Sequence, residues 1–179
     1  MPENESDTPV ATASNKPYSL NQIGSDWQAV DIATLLFVRK EDSILLIRKK
    51  RGLGEGKING PGGKLNKGES IRECAIREVE EELHITPGGI QAHGELRFQF
   101  IDGYSIHVHV YTASDYSGTP EETDEAKPLW FPIDEIPYEE MWEDDVIWLP
   151  QVLNGKCIDG KFIFDGDRML DHELVVSEN

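Results

Sequence analysis

Glu78, Glu81 and Glu82 stand at i, i+3 and i+4 in the run Arg77-Glu78-Val79-Glu80-Glu81-Glu82-Leu83. On a helix that spacing brings three carboxylates to one patch and turns Val79 and Leu83 toward the core. Like charges so placed repel one another and weaken the helix. A hard divalent cation with oxygen ligands converts the same arrangement into a binding site. A solvated acidic face is the competing reading of any charge run, so the surrounding residues must decide.

The elements that would position these glutamates can be read from the apolar pattern. Ile71, Ala75, Ile76, Val79 and Leu83 form one stripe, which predicts an amphipathic helix over 69–83. Upstream, 33–38 and 43–48 are β-rich runs joined by Arg39-Lys40-Glu41-Asp42, a hairpin pattern. Six glycines from Gly52 to Gly63 then mark a loop-rich approach to the helix. After it, 94–101 and 105–112 alternate as paired strands around Asp102-Gly103. A short strand is expected at 129–131. A second helix is expected over 137–153, with Met141, Val146, Leu149 and Val152 inward and a kink or stop at Pro150. The last hairpin joins 161–165 to 168–176 around Gly166. This order predicts an α/β chain with a mixed β-sheet sandwiched between helices.

The chain has 179 residues, with 34 Asp plus Glu against 17 Lys plus Arg, a net charge of −17. Such a balance excludes a nucleic-acid polymer as partner, because polymer phosphates are bound by neutralising them with Lys and Arg. A phosphate ligand should therefore be small and accompanied by a divalent cation. Cys74 and Cys157 are far apart, too few for a disulfide framework or zinc site, and both read as buried thiols. Residues 1–28 are polar, carry Pro2, Pro9 and Pro17, and read as an extension whose end Trp27 pins; 29–179 reads as one domain. No apolar run approaches the roughly 18 residues of a membrane span, and the start lacks a signal-peptide pattern. The expectation is a cytoplasmic protein, and a monomer, since no heptad or long exposed apolar strand advertises a partner surface.

The residues around the glutamates supply the decision. Gly63, five residues, Glu69, seven residues, then Arg77-Glu78-Val79-Glu80-Glu81-Glu82-Leu83-His84-Ile85 resembles the Nudix box, Gly-x5-Glu-x7-Arg-Glu-U-x-Glu-Glu-x-Gly-U with U aliphatic. The six fixed positions met here would co-occur by chance with a probability on the order of one in a hundred thousand, which sets the solvated face aside. His84 departs from the pattern by replacing the second glycine. That glycine would serve a left-handed C-terminal cap, a conformation His visits more readily than most residues, so the departure bears on the helix end and not on the chemistry. The likeness continues through Lys49–Lys64, and again through Gly118-Thr119-Pro120, Asp124-Glu125, Trp130-Phe131, Met141–Asp145 and Trp148. There the chain is similar to the MutT-like oxidised purine nucleoside triphosphatases, and the similarity covers about 29–176.

The resemblance implies a Nudix fold and Mg²⁺-dependent hydrolysis, with Mn²⁺ as a substitute. Glu78 and Glu82 are implied as direct ligands with the Gly63 carbonyl beside them, and Glu81 as a ligand or the group that polarises water. Glu125 is the candidate for an extra carboxylate that binds a second cation or accepts the water proton. Glu69 and Arg77 organise the site, with Arg77 able to pair with Glu73 or Glu80 on its own helix. Lys49 reads equally as a phosphate contact or a solvated charge. For the base, Trp142 and Phe98 can stack on a purine, Asn59 can pair with its edge, Thr34 lines the pocket, and Asp144 and Asp145 read the Watson–Crick edge. Singly, Trp142 and Phe98 read as core, and the constellation reverses that preference. The implied activity is hydrolysis of substrates such as 8-oxo-dGTP or 2-hydroxy-dATP to monophosphate and pyrophosphate, sanitising the nucleotide pool. Alternatives are a Nudix hydrolase of ADP-ribose or a dinucleoside polyphosphate, and a non-catalytic nucleotide-binding module.

Overall fold

Residues 18–179 are described by the computed structural model, and their β-rich runs close into one nine-stranded mixed sheet. The strands are β1 (Asp31–Lys40), β2 (Ser43–Lys49), β3 (Ile58–Asn59), β4 (Gly62–Lys64), β5 (Thr86–Phe100), β6 (Ser105–Ser117), β7 (Ala126–Pro132), β8 (Cys157–Asp165) and β9 (Arg168–Ser177). Their order is β3-β2-β1-β6-β5-β8-β9, with β4 paired to β1 and β7 to β2. The β1–β6 and β5–β8 pairs are parallel and the others antiparallel. Because side chains alternate along a strand, each central strand feeds two cores. Leu36, Val38, Leu45 and Ile47 pack against helix α1 (Ile71–Leu83), while Phe37, Ile44 and Leu46 join the core that holds helix α2 (Asp145–Leu153). The two helices thus cover opposite faces, as the pattern predicts.

Local chemistry fixes α1. Ser70 accepts from the Glu73 amide and Glu73 reaches back to the Ser70 amide, a capping box that satisfies two otherwise orphaned donors. The helix therefore begins at Ile71 and not at 69, and Glu69 lies before the cap. Ala75, Val79 and Leu83 are buried, with Ile71 and Ile76 at the margin of the stripe. His84 adopts the left-handed conformation (φ 59°, ψ 31°) and its amide donates to Glu80 O, taking the cap role of the missing glycine.

Other boundaries depart from expectation. The second helix starts at Asp145, because Tyr138–Glu140 forms only a 3-10 turn after Pro137, and it runs through Pro150 to Leu153. Burial of Trp148, Leu149, Val152 and Leu153 holds it together past the proline, whereas Val146 is 51% exposed and lies off the buried stripe. β5 starts at Thr86 despite Pro87-Gly88-Gly89, with a bulge between Ala92 and Gly94 where buried His93 bonds Thr112 Oγ1 and Lys156 O. Cys157 is only half-buried. Of the proposed extension, residues 1–17 lie outside the described residues. In the remainder Ile23 is 1% exposed and Trp27 Nε1 donates to Gln99 Oε1 at 3.0 Å, so this part packs on the sheet.

Candidate active site

The turn Gly60-Pro61-Gly62-Gly63 runs against β1, with Gly62 opposite Leu35 and Gly63 opposite Thr34. A Cβ on residue 62 would lie 1.8 Å from Thr34 O, so only glycine permits this approach. Below the turn, carboxylate oxygens of Glu78, Glu82 and Glu125 lie within 4.8 Å of one another. The first two come from successive turns of α1 and the third from the segment leading into β7. Burial raises the pKa of Glu78, and burial reinforced by the neighbouring Glu78 pushes Glu82 up to about 8. Glu82 Oε2 is buried without a hydrogen-bond partner among the described residues. An orphaned carboxylate oxygen beside two like charges is costly for the protein alone. The donor set fits a hard divalent cation that takes oxygen ligands.

Glu81 is not brought into this group. Its side chain is 53% exposed and pairs with Arg77 Nη1 at 3.1 Å. Glu125 is within the group and also pairs with Arg51. The Gly63 carbonyl accepts from Cys74 Sγ at 3.7 Å. Arg77 pairs with neither Glu73 nor Glu80, because Glu73 is committed to the capping box and Glu80 accepts from Thr86 Oγ1. Its fork instead grips Glu69 through Nε at 2.6 Å and Nη2 at 3.0 Å, reaches Glu78 Oε1 through Nη1 at 2.8 Å, and donates to Lys64 O. Arg77 beside it draws the Glu69 carboxyl down to about 2. The bridge from Glu69 through Arg77 to Glu78 fixes where the Glu78 carboxylate stands.

A cavity of ≈ 260 Å³ adjoins this group, and Thr34, Lys49, Asn59, Gly63, Phe98, Trp142, Asp144 and Asp145 all line it. Phe98 stacks on Phe162 with centroids 5.1 Å apart, and Trp142 stands edge-on to Phe100 and Phe164 with Lys57 Nζ over its ring. Asn59 Oδ1 accepts from the Gly60 amide at 2.8 Å. Asp144 and Asp145, at the start of α2, are both buried. Trp148 Nε1 donates to Asp144 Oδ2 at 2.7 Å, whereas Asp145 Oδ2 has no partner among the described residues. Burial raises both carboxyls, Asp144 to about 6 and Asp145 well above the ordinary range, where the charge of Asp144 adds to the effect. Both effects favour the protonated form, and a protonated carboxyl can donate a hydrogen bond.

Sequence reasoning missed several members. Trp148 stands one helical turn after Asp144, a spacing that could have paired its donor with that acceptor. Leu53, Phe100, Tyr104, Ile106, Val108 and Phe164 are among the further residues of the lining. Nothing marks them in the sequence as different from ordinary core residues.

A mixed sheet between two helices thus places clustered carboxylates, a donor set that suits a hard cation, near a largely apolar cavity. The NUDIX domain matches residues 29–152, more than half of the chain, and the protein belongs to that family. It is 42% identical to the oxidized purine nucleoside triphosphate hydrolase of Danio rerio over 80% of this chain and 93% of that one. It is 38% identical to the Mus musculus protein of the same name, over 79% and 92%. Among solved structures, the MutT protein of Bacillus halodurans superposes with a TM-score of 0.74 at 28% identity, covering 81% of this chain and 97% of that chain.

Proposed function

We propose that this protein hydrolyses oxidised purine nucleoside triphosphates to the monophosphate and pyrophosphate, with Mg²⁺ held by Glu78 and Glu82. The observation that carries the reading is the pair Asp144 and Asp145, buried in a cavity that also includes Gly63 and Lys49. A purine edge and a phosphate chain are the two parts of one ligand that such a cavity suits. The names of the relatives at 42% and 38% identity support the same activity.

A Mg²⁺ ion bound at these carboxylates would supply charge neutralisation for the phosphate oxygens and the developing negative charge, and Mn²⁺ would suit the same oxygen donors. Glu78 and Glu82 hold it, and Arg77 keeps Glu78 in place. Lys49, at the end of β2, contacts the phosphates. Glu125 lies off α1 and accepts the proton of the attacking water. Trp142 and Phe98 stack against the base while Asp144 and Asp145 read its edge by donating and accepting hydrogen bonds. A net charge of −17 keeps polymers out and leaves a small, cation-accompanied nucleotide as the substrate.

Pyrophosphate release measured with Mg²⁺ across 8-oxo-dGTP, 2-hydroxy-dATP, dGTP, ADP-ribose and a dinucleoside polyphosphate tests the reading. The oxidised purines should be turned over best. Glu78→Gln and Glu82→Gln should each lower turnover by roughly 100-fold or more, the scale on which loss of one transition-state charge stabiliser acts, with an unchanged circular dichroism spectrum. Near-normal turnover in either folded variant would remove the cation assignment.

A further inference from the structure

We propose that Glu95, His107 and His109 form a second cation site, for a borderline transition metal such as Zn²⁺, on the α1 face of the sheet and apart from the carboxylate group of α1. His107 and His109 are two residues apart on β6 and project from one face. Their rings lie 4.6 Å apart between centroids. Glu95 sits directly across on β5, in register with His109, and projects from the same face. Its Oε2 is 2.8 Å from His107 Nε2 and its Oε1 is 4.0 Å from His109 Nδ1, and the three donor atoms lie within 4.8 Å of one another.

The donor chemistry separates this group from the carboxylates of α1. Two imidazoles and one carboxylate are a zinc-type set that leaves a fourth position open, whereas all-oxygen donors suit Mg²⁺. Tetrahedral coordination with bonds of about 2.0–2.1 Å separates donors by about 3.3 Å. The 2.8 and 4.0 Å from the two imidazoles to the two oxygens of Glu95 lie on either side of that separation, and no pair of donor atoms in the group is more than 4.8 Å apart, so side-chain rotation can bring them to a common ion. The cation takes the place of the proton shared between His107 and Glu95, the exchange expected when a metal displaces a proton from its ligands. His109 makes no hydrogen bond among the described residues, so its ring nitrogens are open to a cation. Arg97 donates to Glu95 Oε2 at 2.8 Å and to Asp159 at 2.5 Å, so its charge is balanced and it steadies the ligating carboxylate. Trp27 covers His107 edge-on, with centroids 6.1 Å apart.

The test uses the full chain, stripped by chelator and then held in excess Mg²⁺ so that the carboxylate group is occupied. Zn²⁺ is added, the protein is dialysed, and retained zinc is measured by elemental analysis. One zinc per chain should remain in the wild type and in Glu78→Gln/Glu82→Gln. His107→Ala, His109→Ala and Glu95→Gln should each weaken binding by more than the about 10–100-fold that loss of a supporting contact costs. Nitrogen NMR of the wild-type imidazoles needs no variant, and should show His107 and His109 shifting together with added zinc. Zinc that is not retained by the wild type, that survives His109→Ala undiminished, or that leaves both imidazoles unshifted would overturn the proposal.

Discussion

The carboxyl group of Glu78 stands where a side chain on residue 63 would begin. A Cβ built on Gly63 would lie 2.3 Å from Glu78 Cδ and 2.4 and 2.5 Å from its two oxygens. Gly63 is not among the glycines with positive φ, so space alone, and not backbone conformation, keeps alanine out. Gly63→Ala should push Glu78 from its place beside Glu82 and Arg77. Because the obstructed atoms end a side chain, the strain should stay at or below about 1–3 kcal/mol. Turnover should fall by roughly 100-fold, as when a transition-state charge stabiliser is lost. Steady-state kinetics with thermal melting checks this, and wild-type kcat in the folded variant would show that Glu78 works from elsewhere.

Glu82 links the site to stability through pH. Its folded pKa is pushed up to about 8 by burial and by Glu78, well above the ordinary carboxylate value. Between the two values the folded state keeps a proton that the unfolded chain has released. Stability of the cation-free protein should therefore fall as pH rises from about 4.5 to about 8, by an amount on the order of a few kcal/mol. Cation binding runs the other way, strengthening as the proton leaves. Denaturant melts in chelator at about pH 5, 7 and 9 measure the slope. Glu82→Gln should flatten it and raise stability at the alkaline end while removing turnover. An equally steep slope in that variant would assign the linkage to other groups.

Arg77 holds Glu69 with two nitrogens and Glu78 with a third bond. Lysine keeps the charge and loses the fork. Arg77→Lys should lower cation affinity or turnover by about 10–100-fold, the usual cost of losing a partner that orients a ligand, and Glu69→Gln should reproduce part of the loss. Mg²⁺ titration of activity distinguishes the two effects. Unchanged values in both variants would leave Glu78 positioned by its helix alone.

The body of α1 was legible because its signals are local, Ala75, Val79 and Leu83 as the buried stripe and His84 as the end, whereas its start was placed two residues early because the Ser70–Glu73 capping box was not read. Glu125 joins Glu78 and Glu82 through tertiary contact, and the family resemblance pointed to it where periodicity could not. The start of α2 was hidden because Glu139, Glu140 and Glu143 after Pro137 imitate an acidic first turn. Buried Asp144 and Asp145 also defy the rule that carboxylates face water. Ile23 is one apolar residue in a polar stretch, yet it is fully buried. Glu95 and the two histidines become neighbours only through the register of β5 and β6, and registers are not written in spacing along one strand.

Asp144 and Asp145 differ in what surrounds them. Trp148 donates to Asp144 and favours its charged form, while Asp145 Oδ2 has no partner and is driven well above the ordinary range by burial and by Asp144. These effects favour the protonated form of Asp145 over that of Asp144. A purine edge that offers an acceptor to Asp145 and a donor to Asp144 finds this arrangement ready. The opposite edge requires the proton to move to Asp144, against the Trp148 hydrogen bond. Asp145→Asn fixes a donor and should preserve the first kind of substrate while impairing the second. Asp144→Asn removes the charge that Trp148 supports and should impair the first kind more. Each mismatch leaves a buried polar group unpaired, about 1–3 kcal/mol, or roughly 5- to 150-fold in kcat/KM. The measurement is kcat/KM for 8-oxo-dGTP, 2-hydroxy-dATP and dGTP in the wild type, both variants and Trp148→Phe. Trp148→Phe should narrow the gap between substrates by releasing the preference of Asp144 for its charged form. Three unchanged values in both asparagine variants would show that these aspartates do not read the base.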